Sequence, residues 1–315
     1  MRSWFVAILI VTLVTLGGCA PAESPEDVVG TTTAVTGASA LGTIEVSNYP
    51  LAYVVERLAG PLVELSFRAA EAPDPAYWRP SVEEIIAMQE ADLVIVNGAG
   101  YEGWLKDVSL PTSRLLDTTA AVHDRLIRIE ASTTHSHGLE GEHEHAGSAF
   151  TTWLDPTLLI EQARAASQGL ERRWPDHAEY FADRLQDLVA ELEILDAELQ
   201  AATAAAAEHP VIFSHPVYQY LQQRYGLSGH SVHWEPDEAP AEGQWEELEH
   251  LMANHRAESM VWEAEPLAET SERLAEVGLG SVVVDPCSTP PSDGDLLTVM
   301  RRNTEVLRML FASAP

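Results

Sequence analysis

The chain predicts an α/β fold of two parallel-sheet lobes joined by one long helix, and three observations predict it. Short apolar runs alternate with helix-spaced segments between residues 44 and 96. The same alternation returns from 211 to 312, and a long leucine-spaced stretch separates the two halves. Strands alternating with helices imply a parallel sheet, because parallel neighbours need a crossover that a helix supplies. With 315 residues and 46% hydrophobic content, the chain can build two cored lobes and is too apolar for wholesale disorder.

The elements follow in order. Behind Arg2, the apolar run Trp4 to Leu16 is too short to span a bilayer comfortably and ends in small residues, so residues 1–18 read as a secretory signal peptide. Leu16-Gly17-Gly18-Cys19 resembles a bacterial lipobox, which implies that the Cys19 thiol carries a diacylglyceryl group and anchors an exported protein to the membrane. Each buried methylene contributes about 0.8 kcal/mol, so two or three acyl chains hold far more firmly than one. Residues 19–41 are small and polar, as a flexible leash should be.

The N-terminal lobe is expected over 42–155. Ile44 to Ser47 reads as a strand, Leu51 to Ala59 has helical spacing, and Val63 to Phe67 alternates as a strand does. Ser81 with Glu84 is a capping-box pattern opening a helix through Gln89, and Leu93 to Val96 is an apolar run ended by Asn97-Gly98. Residues 133–149 carry Gly, Glu and His135, His137, His143 and His145 without an apolar period, and are expected to be an exposed loop.

Helices are expected over 156–208. The second, from Pro175 through Phe181, Leu185, Leu188, Leu192, Leu195 and Leu199, would extend roughly 45–50 Å, long enough to back both lobes. The C-terminal lobe is expected over 209–315. Its strands are Val211 to Phe213, Ser259 to Trp262 and Ser281 to Val284, with helices at 217–225, 242–254, 266–277 and 293–312.

Composition excludes some functions. Eighteen basic against 49 acidic residues give a net charge of −31, and Lys106 is the only lysine, so a nucleic-acid partner is excluded by repulsion. Apart from Cys19 the only cysteine is Cys287, which leaves no intrachain disulfide once Cys19 is acylated. Cys287 reads as a buried filler or a lone thiol. No Gly-x-Ser-x-Gly elbow or phosphate-cradling glycine loop appears, and an enzyme is not expected.

Several segments resemble the solute-binding lipoproteins of bacterial zinc and manganese ABC transporters, the TroA-like periplasmic metal-binding proteins. They are Tyr49-Pro50-Leu51 with Leu58-Ala59-Gly60, Ala91-Asp92-Leu93-Val94 with Asn97-Gly98, Trp104, Trp153-Leu154-Asp155-Pro156, Ser214-His215 with Tyr225-Gly226-Leu227, and Asp285-Pro286. The resemblance implies two lobes on a rigid helix, small motions on binding, and a metal ion held between the lobes for an ABC permease.

It also implies four ligand positions, of which two are vacated. Ala76 in Asp74-Pro75-Ala76-Tyr77 and Thr151 in Thr151-Thr152-Trp153 stand where the N-lobe histidines should be, and neither offers a good zinc donor. His215 and Asp285 remain at matching positions, and a His215–Asp285 hydrogen bond is the alternative role for that pair. Glu263, at a strand end, is a candidate substitute ligand, as are His230, His233 and Glu235. Tyr77 and Trp78 would suit stacking of a small organic or chelated ligand.

The histidine-rich loop leans the cargo toward Zn²⁺ over Mn²⁺, since neutral imidazole suits zinc, and its capture should weaken below about pH 6.5. The expected function is therefore an extracytoplasmic lipoprotein, monomeric, that captures a transition-metal ion and delivers it to a permease. The alternative is a degenerate relative whose cleft holds a non-metal ligand, or which serves as a sensor or adhesin-like lipoprotein.

Overall fold

The computed structural model describes residues 40–129 and 147–312, with two short strands at 134–136 and 142–144. The expectations for the signal peptide, for Cys19 and for most of the leash fall outside the described residues, as do those for His137 and His145.

The N-terminal lobe runs β1 (Thr43–Val46), α1 (Tyr49–Ala59), β2 (Glu64–Ser66), α2 (Val82–Glu90), β3 (Leu93–Val96) and β4 (Leu115–Asp117). Its four strands are all parallel in the order β2-β1-β3-β4. The helix starts are set by polar caps. Asn48 Oδ1 accepts the Leu51 amide at 2.9 Å, and Ser81 with Glu84 forms the expected reciprocal capping box.

After β5 (Arg128–Ile129), β6 (Thr134–Ser136), β7 (Glu142–Glu144) and β8 (Gly147–Ser148) come α3 (Pro156–Arg173) and α4 (Ala178–Ala202). The C-terminal lobe then repeats the first plan. It runs β9 (Val211–Phe213), α5 (Gln219–Tyr225), β10 (Gly229–Ser231), α6 (Glu242–Asn254), β11 (Ser259–Trp262), α7 (Ala268–Glu276), β12 (Gly280–Val283) and α8 (Leu296–Leu310), with a parallel sheet in the order β10-β9-β11-β12.

The helix α4 buries Phe181, Leu188, Leu192, Leu195, Leu199 and Ala202, a stripe spaced at three, four and seven residues. That stripe packs on α1 and α3 of the first lobe and on α8 of the second, and one hydrophobic core runs through all of them. At 1.5 Å per residue its 25 residues span about 37 Å. This is shorter than expected, because the chain leaves the helix at Thr203, whose hydroxyl donates back to the Leu199 carbonyl.

Hydrogen bonds also stitch the lobes at the front. Trp153 Nε1 donates to the Pro286 carbonyl at 2.7 Å, Tyr220 Oη to the Ala149 carbonyl at 2.9 Å, and Thr151 Oγ1 to the Val217 carbonyl. The described residues from Ala40 onward form one compact unit.

Two features depart from expectation. Residues 133–149 are not wholly irregular: β5 pairs antiparallel with β8, and β6 with β7, placing His135 opposite His143 in the register. Strands this short with no apolar face leave no period to read. The edge strands β4 and β10 also depart from expectation, each being only three residues long. Cys287 resolves as a buried residue, held at φ 57° where its amide donates to Asp285 Oδ1 at 2.7 Å.

Under the end of β3, buried Glu102 accepts the Asn97 and Gly98 amides at 2.6 and 3.0 Å. Burial outweighs these bonds and that from Ser47, pushing its carboxyl from 4.5 up to about 7. The folded chain thus holds a proton that the unfolded chain has released, so this group's stability is complete below about pH 4.5 and is lost as pH rises through 7. The loss should approach about 3 kcal/mol. Thermal melts between pH 5 and 8 should slope downward more for the wild type than for Glu102→Gln, and parallel slopes would refute this.

Candidate metal centre

Ligands of open parallel sheets lie beyond the carboxyl ends of the strands, where the strand order reverses. In the C-terminal lobe that reversal falls at β9 and β11. His215 follows β9 by two residues and Glu263 follows β11 directly, so neighbouring strands present them side by side. His215 Nδ1 lies 3.0 Å from Glu263 Oε1, and Nε2 lies 3.9 Å from Glu235 Oε1. The imidazole is 7% exposed. Burial alone would lower its pKa, but the hydrogen bond and charge of Glu263, with the charges of Glu235 and Asp74, hold it above the ordinary value.

His215 therefore bonds Glu263, where the sequence suggested Asp285. The Asp285 carboxylate turns to the Cys287 amide, and its backbone is held on both sides by the Asn303 amide group at 3.1 and 2.7 Å. Burial raises its pKa against the lowering effect of the Cys287 bond, and the Glu263 charge adds to the rise.

A cavity of about 40 Å³ opens beside His215. Ala76 and Thr151 both line it, with Asp74, Tyr77, Tyr101 and Glu263. The Thr151 hydroxyl donates to the Val217 carbonyl. The space suits an ion with a water or two and lies far below the roughly 300–1,000 Å³ of organic-ligand pockets. Among the described residues, no three His, Cys, Asp or Glu side chains already surround one point as bound metal would have them.

Of the remaining candidates, His233 is close to His215, with ring centroids 5.8 Å apart, while His230 packs against His255 at 4.6 Å. Trp78 packs edge-on against Trp104 at 6.0 Å, and with Tyr77 and Lys106 it lines an adjoining, open depression of about 930 Å³ that shares Ala76, Tyr77 and Tyr101 with the smaller cavity.

The profile of the family described as "ZnuA: Zinc-uptake complex component A periplasmic" matches residues 44–309. The chain belongs to this family. Zinc-binding protein AdcA of Streptococcus pyogenes serotype M6 is 24% identical over 281 residues, covering 83% of this chain and 54% of AdcA. The chain thus spans about half the length of the streptococcal relatives it matches. The high-affinity zinc uptake system protein ZnuA of Bacillus subtilis is 23% identical, covering 82% of this chain and 84% of that protein. The crystal structure of Zn(II)-bound AdcA from Streptococcus pneumoniae superposes with a TM-score of 0.73 at 18% identity, covering 86% of this chain and 58% of that one. That likeness establishes the two-lobed fold.

Proposed function

We propose that the protein is an exported, lipid-anchored solute-binding protein that captures a transition-metal ion, zinc ahead of manganese, and delivers it to an ABC permease. The observation that carries this reading is the Glu263–His215 pair at the sheet's switch point, beside a one-ion cavity, in a chain of the zinc-uptake family. Glu263 acts as the orienting carboxylate. By accepting Nδ1–H it fixes the tautomer that leaves the Nε2 lone pair for the ion, as acidic partners of metal-bound histidines do.

His215 and Asp285 are then the ligands kept from the family pattern. His135, His137, His143 and His145 form an auxiliary capture loop, Cys19 carries the lipid, and the protein works as a monomer at the outer face of the cell membrane. Binding and release need no covalent step, so it is not an enzyme.

The test is a competition titration of the full chain against a chromophoric zinc chelator, alongside a variant with the four loop histidines changed to Asn. One tight zinc per chain, retained in the variant, is expected. A variant with no tight zinc would remove the cleft reading. Cells lacking the protein should also need more zinc to grow in depleted medium, and unchanged growth would count against delivery.

A further inference from the structure

We infer that His233 and Glu235, from the segment after β10, complete the ion's coordination in place of the two N-lobe donors that Ala76 and Thr151 do not supply. This inference rests on the metal-capture reading and names the donors of that same cleft. It moves the site almost wholly into the C-terminal lobe.

The backbone brings both residues to His215. Beyond β10 the chain continues alongside β9: the Val232 amide donates to the Phe213 carbonyl at 2.9 Å, and the Trp234 amide to the Ser214 carbonyl at 2.8 Å. Trp234 is buried, between Trp245 at 4.7 Å and Trp262 at 6.2 Å. In an extended segment, neighbours of an inward side chain point to the other face. His233 and Glu235 flank Trp234 and reach the His215 ring, one with ring centroids 5.8 Å apart and the other 3.9 Å from Nε2. Gln244, at the start of α6, donates to the His233 carbonyl at 3.0 Å and fixes the segment from its other side.

The separation suits zinc. Two ligands about 2.0–2.1 Å from a tetrahedral ion stand roughly 3.3 Å apart. The 3.9 Å between His215 Nε2 and Glu235 exceeds that by a side-chain adjustment, and the Glu235 side chain is 31% exposed. Charge points the same way. Glu263, Glu235 and Asp74 all bear on His215, and the same three bear on Tyr77, so negative charge converges on these two residues of the cavity wall and a divalent cation would offset it.

Tyr101 supplies an independent sign of a bound group. It is 3% exposed and lines the cavity, and its buried hydroxyl has no hydrogen-bond partner among the described residues. A water on the ion would satisfy it. Two imidazoles with carboxylates make a borderline donor set that takes zinc and also admits manganese.

The test uses the full chain with the four loop histidines changed to Asn, titrated with zinc against a chelator and with Co²⁺ as a spectroscopic reporter. His233→Ala and Glu235→Gln should each weaken zinc at least as much as loss of an outer-shell partner, roughly 10–100-fold, and shift the Co²⁺ bands. His230→Ala, whose ring packs on His255, should stay within about twofold, well inside one decade of affinity. Should His233→Ala fold poorly, His233→Gln keeps the bulk and is expected to show the same loss. If His233 and Glu235 variants bind as their parent does while His215→Ala does not bind, this inference is overturned and metal capture stands. If the parent itself holds no zinc, both are overturned.

Discussion

His215→Ala should weaken zinc binding at the cleft by at least about 100-fold, equivalent to nearly 3 kcal/mol, in a chain whose loop histidines have been changed to Asn. The size follows from where the imidazole stands. Among the described residues it is the one histidine that lines the cavity, and Glu263 holds its ring with Nε2 toward Glu235. Alanine removes one of the neutral nitrogen donors that zinc prefers and leaves a set richer in carboxylates, which suit harder ions. The metal-free protein should melt near the wild-type temperature, because Glu263 has a side chain 26% exposed and can take up water once its partner is gone. Zinc affinity unchanged by the substitution would place the ion outside this cleft.

The lobes were legible in the sequence because their central strands are short apolar runs. Leu93 to Val96 is buried at every position, and Val211 to Phe213 likewise. Edge strands such as Gly229–Ser231 carry no such pattern, and only the parallel ladder to β9 reveals them. The site was half legible. Family segments pointed to His215, Asp285, Ala76 and Thr151, and of these His215, Ala76 and Thr151 line one cavity.

The pairing of His215 with Glu263 was hidden, because it depends on β9 lying beside β11, and strand order leaves no mark in local periodicity. Asp285 looked the natural partner from the family pattern alone. The turn it caps, with Cys287 at positive φ, explains why its carboxylate faces the backbone instead.

Trp234→Ala should be among the most destabilising single changes in the C-terminal lobe, by about 3–5 kcal/mol, and should weaken zinc as well. The indole is 2% exposed, in the cluster of Ile212, Trp245, Leu248, Met260 and Trp262, so truncation leaves a cavity that rigid neighbours on β9 and β11 cannot fill. For a folded unit of this size each kcal/mol lowers the melting temperature by roughly 2–4 °C, so a fall of about 10 °C is expected. Trp234→Phe, which keeps an aromatic ring, should lose much less.

The second effect links packing to function. Trp234 is the anchor that holds His233 and Glu235 in register beside His215, so the alanine variant should bind zinc more weakly even at temperatures where it is fully folded. Calorimetric melts and a zinc titration at 15 °C separate the two effects. A melting temperature within about 2 °C of wild type would show that the tryptophan cluster contributes under 1 kcal/mol and is not the anchor. Lost stability with undiminished zinc affinity would uncouple the segment from the metal and leave His215 to bind with other donors.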